Sequence, residues 1–305
     1  TLAVVRDDRW GRTYESYSEN PAVVASYARP LVEGLQGKIG AKDWLKGPHI
    51  VATAKHFVGD GGTNGGRDQG DNISTEAELR DIQAAGYRPA LEAGIQSVMA
   101  SYNSWHGEKM HGHKSLLTDV LKGRMNFSGY VVGDWNGHGQ VAGCKPTNCA
   151  ASFNAGLDMF MAPDSWKELY ANTLAQAKDG TISKARLDEA VARILRVKLR
   201  AGLFEAGRPS SRPLAGDFSK IGSPEHRAIA RQAVRESLVL LKNEGAVLPL
   251  KAGQKLLIAG DGANSYMKQS GGWTLSWQGT GLADSEFPGA TTIGKALSDA
   301  NGGNA

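Results

Sequence analysis

Five short apolar runs, at 2–5, 50–54, Ser97–Ala100, Tyr130–Val132 and 159–161, alternate with stretches of helical periodicity at Pro21–Gln36, 75–93, 114–124, Ala150–Ala155 and 165–179. Strand–helix alternation argues for a parallel sheet with helices outside it, because parallel neighbours need a crossover and a helix is the compact one. Each run is followed by a charged or Gly-rich loop. Polar candidates at every strand end suit a partial (β/α)8 barrel better than a doubly wound sheet, which gathers them at one switch point. A longer helix is expected over 183–201, with Leu187, Val191, Ile194, Leu195 and Leu199 as its apolar stripe and Gly202 as its stop.

Residues 205–222 are rich in Gly, Pro, Ser and Arg and have no period, which reads as a linker. Beyond it the sequence predicts a helix over Pro224–Ser237, strands at 238–241 and 255–259, and a helix from Thr292. Two strands are too few for a complete α/β sandwich. The first run opens the chain with no preceding turn. The expected α/β organisation is therefore an incomplete TIM-type barrel over 1–204 lacking its first strands, the linker, and the N-terminal part of an α/β sandwich over 223–305. The chain reads as part of a longer protein.

Composition excludes several function classes. The net charge of +4 is spread without long runs, which implies no nucleic-acid partner. No apolar run approaches the ~18 residues of a membrane span, and the chain contains no signal peptide. Cys144 and Cys149 lie close together in a Pro/Asn loop. They suit a local disulfide, with two free thiols as the alternative; the disulfide implies a periplasmic or extracellular setting. They lack the matched His residues a zinc site needs.

The candidate chemistry sits where the strands end. Asp134 follows the buried run Tyr130–Val132 and Gly133, with Trp135 beside it. A carboxylate there is either a displayed catalytic group or a cap for the next loop. Arg6, Arg9 and Arg12 crowd Trp10 after the first run, either as an anion or hydroxyl clamp or with Arg6 and Arg9 in a salt-bridge knot with Asp7 and Glu15. Lys55 and His56 end the second run, and Tyr102 follows the third, either to bond a nearby carboxylate or to pack under a loop.

Three other signals are weak. Gly59–Gly66 lacks the Gly-Lys-Ser/Thr ending of a phosphate loop, and the glycines after 259 lack a following acid in the right context for a dinucleotide. His106, His111 and His113 have no carboxylate at metal-ligand spacing. No cofactor or metal is expected. Trp273 and Trp277, set among glycines without helical or strand period, read as a binding wall rather than core. An acid, two cations, an imidazole, a phenol and aromatic walls at neighbouring strand ends describe a carbohydrate site.

The segments 6–19 (RDDRWGRTYESYSE), 54–63 (AKHFVGDGGT), 101–105 (SYNSW), 129–135 (GYVVGDW), 155–159 (AGLDM), 237–243 (SLVLLKN) and 271–279 (GGWTLSWQG) together resemble the family 3 glycoside hydrolases, on the β-glucosidase and exo-β-glucanase side. The resemblance runs in family order over nearly the whole chain. It implies retaining, exo-acting release of terminal β-D-glucosyl units from β-glucans or their oligosaccharides. Asp134 falls on the nucleophile, and nearby Lys55 and Arg12 would favour its ionised form. Arg12, Lys55, His56 and Tyr102 fall on the glycone-binding set, with Arg9 the alternative to Arg12. Trp135 and Trp277 fall on two walls about the second sugar, with Trp273 beside them, so these two indoles are expected to face each other across a slot.

Gly133 departs from the common Ser. The family's acid/base Glu and an N-terminal glycone-binding Asp match nothing in this sequence, so the chain alone is expected to hydrolyse little. Gly59 to Asp71 contains no His, which sets aside the N-acetylglucosaminidase branch. A non-catalytic carbohydrate-binding protein on the same scaffold and a sugar-phosphate-binding barrel are the alternatives.

Overall fold

The computed structural model describes residues 1–302; the last three residues of the expected second domain lie outside them. The chain divides into two compact units, Thr1–Gly216 and a second from Asp217 onward. The division falls inside the segment expected to be a linker.

The first unit is α/β. Its elements in order are α1 (Pro21–Gln36), β1 (Thr53–Phe57), β2 (Asp71–Asn72), α2 (Glu76–Glu78), α3 (Tyr87–Glu92), β3 (Ser97–Ala100), β4 (Ser104–Trp105), β5 (Glu108–Lys109), β6 (Tyr130–Val132), α4 (Ala150–Ala155), α5 (Trp166–Lys178) and α6 (Lys184–Arg200). β1, β3 and β6 form a parallel sheet in that order, with Ser97 of β3 opposite both Thr53 and Tyr130. A parallel bridge from Val132 to Met159 adds a fourth position. Parallel neighbours in chain order are the arrangement of a (β/α)8-type barrel, not of a doubly wound sheet, whose order reverses. β2, β4 and β5 form a small second sheet.

Residues 2–5 were expected to be a strand and are instead extended without a ladder. Leu2 N–H donates to the Lys55 carbonyl at 2.7 Å. Leu2 and Val4 pack into the main core while Ala3 and Val5 pack with Trp10, so the run is buried on both faces. The main core joins Val98 and Ala100 of β3, Val131 of β6 and Phe57 of β1 to Val24, Ala28 and Val32 of α1. Asn20 caps α1, its side chain accepting the Ala22 N–H. The apolar side chains of α1 recur at helical spacing, which is why this helix is legible in the sequence.

The helix expected over 75–93 is broken. It starts with a capping box between Thr75 and Glu78, passes through a π-helical turn at Leu79–Gln83, and restarts at Tyr87. Gly86 and Pro89 mark the restart, since Pro lacks an amide hydrogen and is best accommodated in a first turn. Ser115–Arg124 is likewise π-helical.

In the second unit α7 (Pro224–Ser237), α8 (Tyr266–Ser270) and α9 (Ile293–Ala300) form. The strands expected at 238–241 and 255–259 do not. No ladder pairs them among the described residues, and a four- or five-residue run does not hold strand pairing by itself. Leu241 and Leu257 are 91% and 93% exposed. α9 docks on the 260s: Gly294 N–H donates to Ala263 O at 2.8 Å, and Thr292 Oγ1 to Asn264 Oδ1 at 3.0 Å.

Candidate active site

The sheet of the first unit gathers its polar residues at one end. β1 carries Lys55 and His56 just before its last residue, Ser101 and Tyr102 follow β3, and Gly133 and Asp134 follow β6. β6 leaves the core at Val132, and Gly133 N–H donates to Met159 O at 2.9 Å. Asp134 thus emerges at the mouth with its side chain 14% exposed. A tight turn follows. Gly137 N–H returns to the Asp134 carbonyl at 2.9 Å, and Asn136 takes a left-handed conformation that Asn tolerates better than most residues. The Trp135 N–H donates to Asp134 Oδ1 at 2.7 Å, while Oδ2 stands 3.6 Å from His56 Nε2.

His56 is buried and held from both sides. Its Nε2 lies 3.1 Å from an Arg12 guanidinium nitrogen and its Nδ1 2.8 Å from Asp60 Oδ2. A guanidinium only donates, so Nε2 accepts and Nδ1 carries the proton that goes to Asp60. Arg12 forks onto Glu15 at 2.6 and 3.0 Å in a buried ion pair. Burial alone would weaken the Arg12 charge, but the Glu15 carboxylate outweighs it and holds Arg12 above its ordinary range. Burial likewise works against the Glu15 charge. The Arg12 hydrogen bond, aided by the charge of Lys55, holds that carboxyl below its usual range.

The other two arginines go elsewhere. Arg9 pairs with Asp7 at the surface, and Arg6 donates to the Glu19 carbonyl. Of the two readings of the Arg cluster, an ion pair holds for Arg9 and for Arg12, and of the three only Arg12 reaches His56 among the contacts described. Trp10 lies under the Arg12 guanidinium, 5.8 Å to the ring centre, and donates to Asp68. The Tyr102 hydroxyl donates to the Trp135 carbonyl. Burial, then the charge of Asp134, pushes the Tyr102 phenol upward, so it remains a donor.

The structure therefore brings together Arg12, His56, Tyr102, Asp134 and Trp135 in the first unit, with Lys55 next to His56 on β1 and its charge acting on Glu15. Trp135 is 57% exposed. Trp273 and Trp277 belong to the second unit, where Trp273 N–H donates to Trp277 O at 2.9 Å and the rings lie 6.4 Å apart, tilted by 44°. An apolar cleft of about 540 Å3 between the two π-helical segments, floored by Leu79, Leu116 and Val120, holds none of these residues.

Sequence reasoning passed over Glu15 except as salt-bridge material, and missed Asp60 and Asp68. Asp60 follows His56 by four positions, in the Gly-rich loop after β1, and that short separation is the signal that links them. The three histidines weighed for metal diverge: His106 meets Ser74 O, His113 faces Glu108, and His111 meets the Asp134 backbone. Cys144 and Cys149 are joined. No helix among the described residues is long and apolar enough to cross a membrane.

Residues 1–197 match the glycosyl hydrolase family 3 N-terminal domain. A lysosomal beta glucosidase of Dictyostelium discoideum is 33% identical over 93% of this chain and 35% of its own length. A periplasmic beta-glucosidase of Salmonella typhimurium is 30% identical over 97% of this chain and 38% of its own. Among solved structures, an exo-1,3/1,4-beta-glucanase from a Pseudoalteromonas species superposes with a TM-score of 0.95 at 53% identity, covering 97% of this chain and 37% of that one. The chain thus spans little more than a third of the length of each of these proteins.

Proposed function

The chain belongs to glycosyl hydrolase family 3, and from that premise we propose that its protein is a retaining exo-β-glucosidase acting on terminal β-D-glucosyl units of β-glucans and their oligosaccharides. The observation that carries this reading is the setting of Asp134. It is an acid at the C-terminal end of a buried parallel strand, with Oδ1 engaged by its own turn and Oδ2 turned toward His56 and so toward Arg12. In the first step an Asp134 oxygen attacks the anomeric carbon. The bond to the leaving oxygen breaks, and that oxygen departs with the electron pair and takes a proton from an acid partner. Water then attacks the same carbon, gives its proton to the now deprotonated partner, and breaks the bond to Asp134, which leaves as the carboxylate.

Arg12, Lys55, His56 and Tyr102 hold the terminal sugar by its hydroxyls. Trp135 in the first unit and Trp273 and Trp277 in the second offer apolar faces to sugar rings. The disulfide and the periplasmic relative support a periplasmic or extracellular protein.

The test uses a 2-deoxy-2-fluoro-β-glucoside with a dinitrophenolate leaving group, which departs without a proton and so reports on the nucleophile alone. The expected result is a covalent adduct mapped to Asp134, absent from Asp134→Asn. Asp134→Ala should lower turnover of an aryl β-glucoside by several orders of magnitude, because the covalent step disappears. Label on another residue, or near-normal turnover by the variant, would sink the assignment.

A further inference from the structure

We propose that His111 is a positioning residue for the nucleophile: a neutral imidazole that accepts the backbone N–H of Asp134 and fixes the direction of its carboxylate. The inference rests on the reading of Asp134 as nucleophile. It gives a role to a histidine otherwise noticed only as an unconvincing metal ligand.

The geometry defines the ring's state. Asp134 N lies 2.9 Å from His111 Nε2. A backbone N–H only donates, so Nε2 carries no proton and the proton sits on Nδ1. The Ser101 backbone, beside the ring, pulls its proton affinity up, against the larger effect of burial. Ser101 N–H in turn donates to the Phe57 carbonyl at 2.7 Å. One imidazole therefore holds the chain just beyond β6 and lies beside the segment that follows β3, the two places from which Asp134 and Tyr102 project. Its ring is 1% exposed. Burial also holds it neutral, pushing it down to about 3.

A second, independent observation lies in the glycines. Gly133 and Gly137 stand on either side of the Asp134–Asn136 turn; Gly137 closes on this ring, while a side chain at Gly133 would meet it at ordinary contact distance. A Cβ on Gly137 would stand 2.4 Å from His111 Cε1, and one on Gly133 would stand 3.5 Å from Nε2. The chain around the nucleophile is thus shaped to admit the imidazole. Without it the Asp134 amide loses its acceptor, and rotation of that peptide swings the carboxylate off line. Displacements of about 1 Å in a reacting group cost on the order of 10²-fold in rate.

The experiment compares the full-length protein with His111→Leu, His111→Gln and Gly137→Ala. His111→Leu keeps the volume and removes the acceptor. It should label with the fluoroglucoside and turn over about 10²-fold more slowly, while glucose affinity stays within about threefold. His111→Gln, whose amide oxygen accepts an N–H, should recover at least about tenfold of that loss. Gly137→Ala should show the same split by displacing the ring.

Wild-type rates in a folded His111→Leu, or equal losses in rate and affinity without rescue by Gln, would overturn the proposal. Where the Leu variant does not fold, imidazole 15N shifts of the wild type decide: a ring protonated on Nε2 at neutral pH overturns it. Absence of label on Asp134 in the wild type would overturn the nucleophile reading and the catalytic consequence drawn from it. The 15N shifts, measured separately, keep that failure distinct from failure of the hydrogen bond.

Discussion

At the scale of single residues, the site is a set of charges and rings whose states are set by their neighbours. Arg12 keeps its charge in a buried place because Glu15 is there, and His56 has a fixed tautomer because Arg12 and Asp60 leave it one choice. His111 gives a measurable consequence. Its folded value of about 3 lies below the ordinary 6.5, so between the two the unfolded chain binds a proton that the folded one refuses. This contribution is fully present above the unfolded value and is lost as pH falls, by about 1.4 kcal/mol per pH unit. His113 and His138, also lowered by burial, add slope of the same sign. Urea unfolding at pH 7, 6 and 5 should therefore show stability falling, and His111→Gln should flatten the fall. Equal slopes would contradict a buried neutral ring. Sequence showed these side chains and their order, but His111 and Asp134 are 23 positions apart and no periodicity links them.

At the scale of elements, the strand bearing Asp134 is held from below by a buried acid that sequence reading used only as part of a family segment. Asp158 Oδ2 accepts the Val131 N–H at 2.8 Å, and Asp158 N–H returns to the Val131 carbonyl at 2.9 Å. Its Oδ1 accepts Lys122 at 2.8 Å, from the π-helical segment, and Arg186 at 2.6 Å, from α6. Glu189 and Arg193 extend the network, and Arg193 reaches the Phe127 and Gly129 carbonyls that lead into β6. Burial lowers Lys122 and Asp158 opposes it. Asp158→Asn leaves the buried cations Lys122 and Arg186 sharing only the half-exposed Glu189 carboxylate among their described ion pairs, and a loss of ~3–5 kcal/mol is expected in denaturant unfolding. A loss under about 1 kcal/mol, within the range of a surface pair, would refute the network's role. The elements themselves were legible where one face is apolar, as in α1 and α6, or where a run is β-branched and buried, as in β6. The π-helical turns were not, because an α-helix and a π-turn share nearly the same apolar pattern and differ by one residue in hydrogen-bond reach.

At the scale of the molecule, the first unit has its own core and sheet, while the second, from Asp217 onward, keeps many apolar side chains at its surface, Leu238 to Leu241 among them. We expect the connecting segment to be the first to yield to a protease. Arg208 and Arg212 each precede Pro and resist trypsin, which leaves it Lys220; thermolysin is the second probe, cutting before exposed Leu214 or Phe218. First cuts within 21–200 would count against the division. The sequence by itself determined the α/β alternation, the parallel sheet and the identity of the strand-end residues. These are local properties: periodicity, turn chemistry and chain order. Only the tertiary structure decided which partners those residues have. Glu15 on Arg12, Asp60 on His56, His111 on the Asp134 amide and Asp158 under β6 all depend on hydrogen-bond geometry. That geometry is fixed once the sheet has closed and water has been excluded, and a linear sequence does not encode it at any fixed spacing.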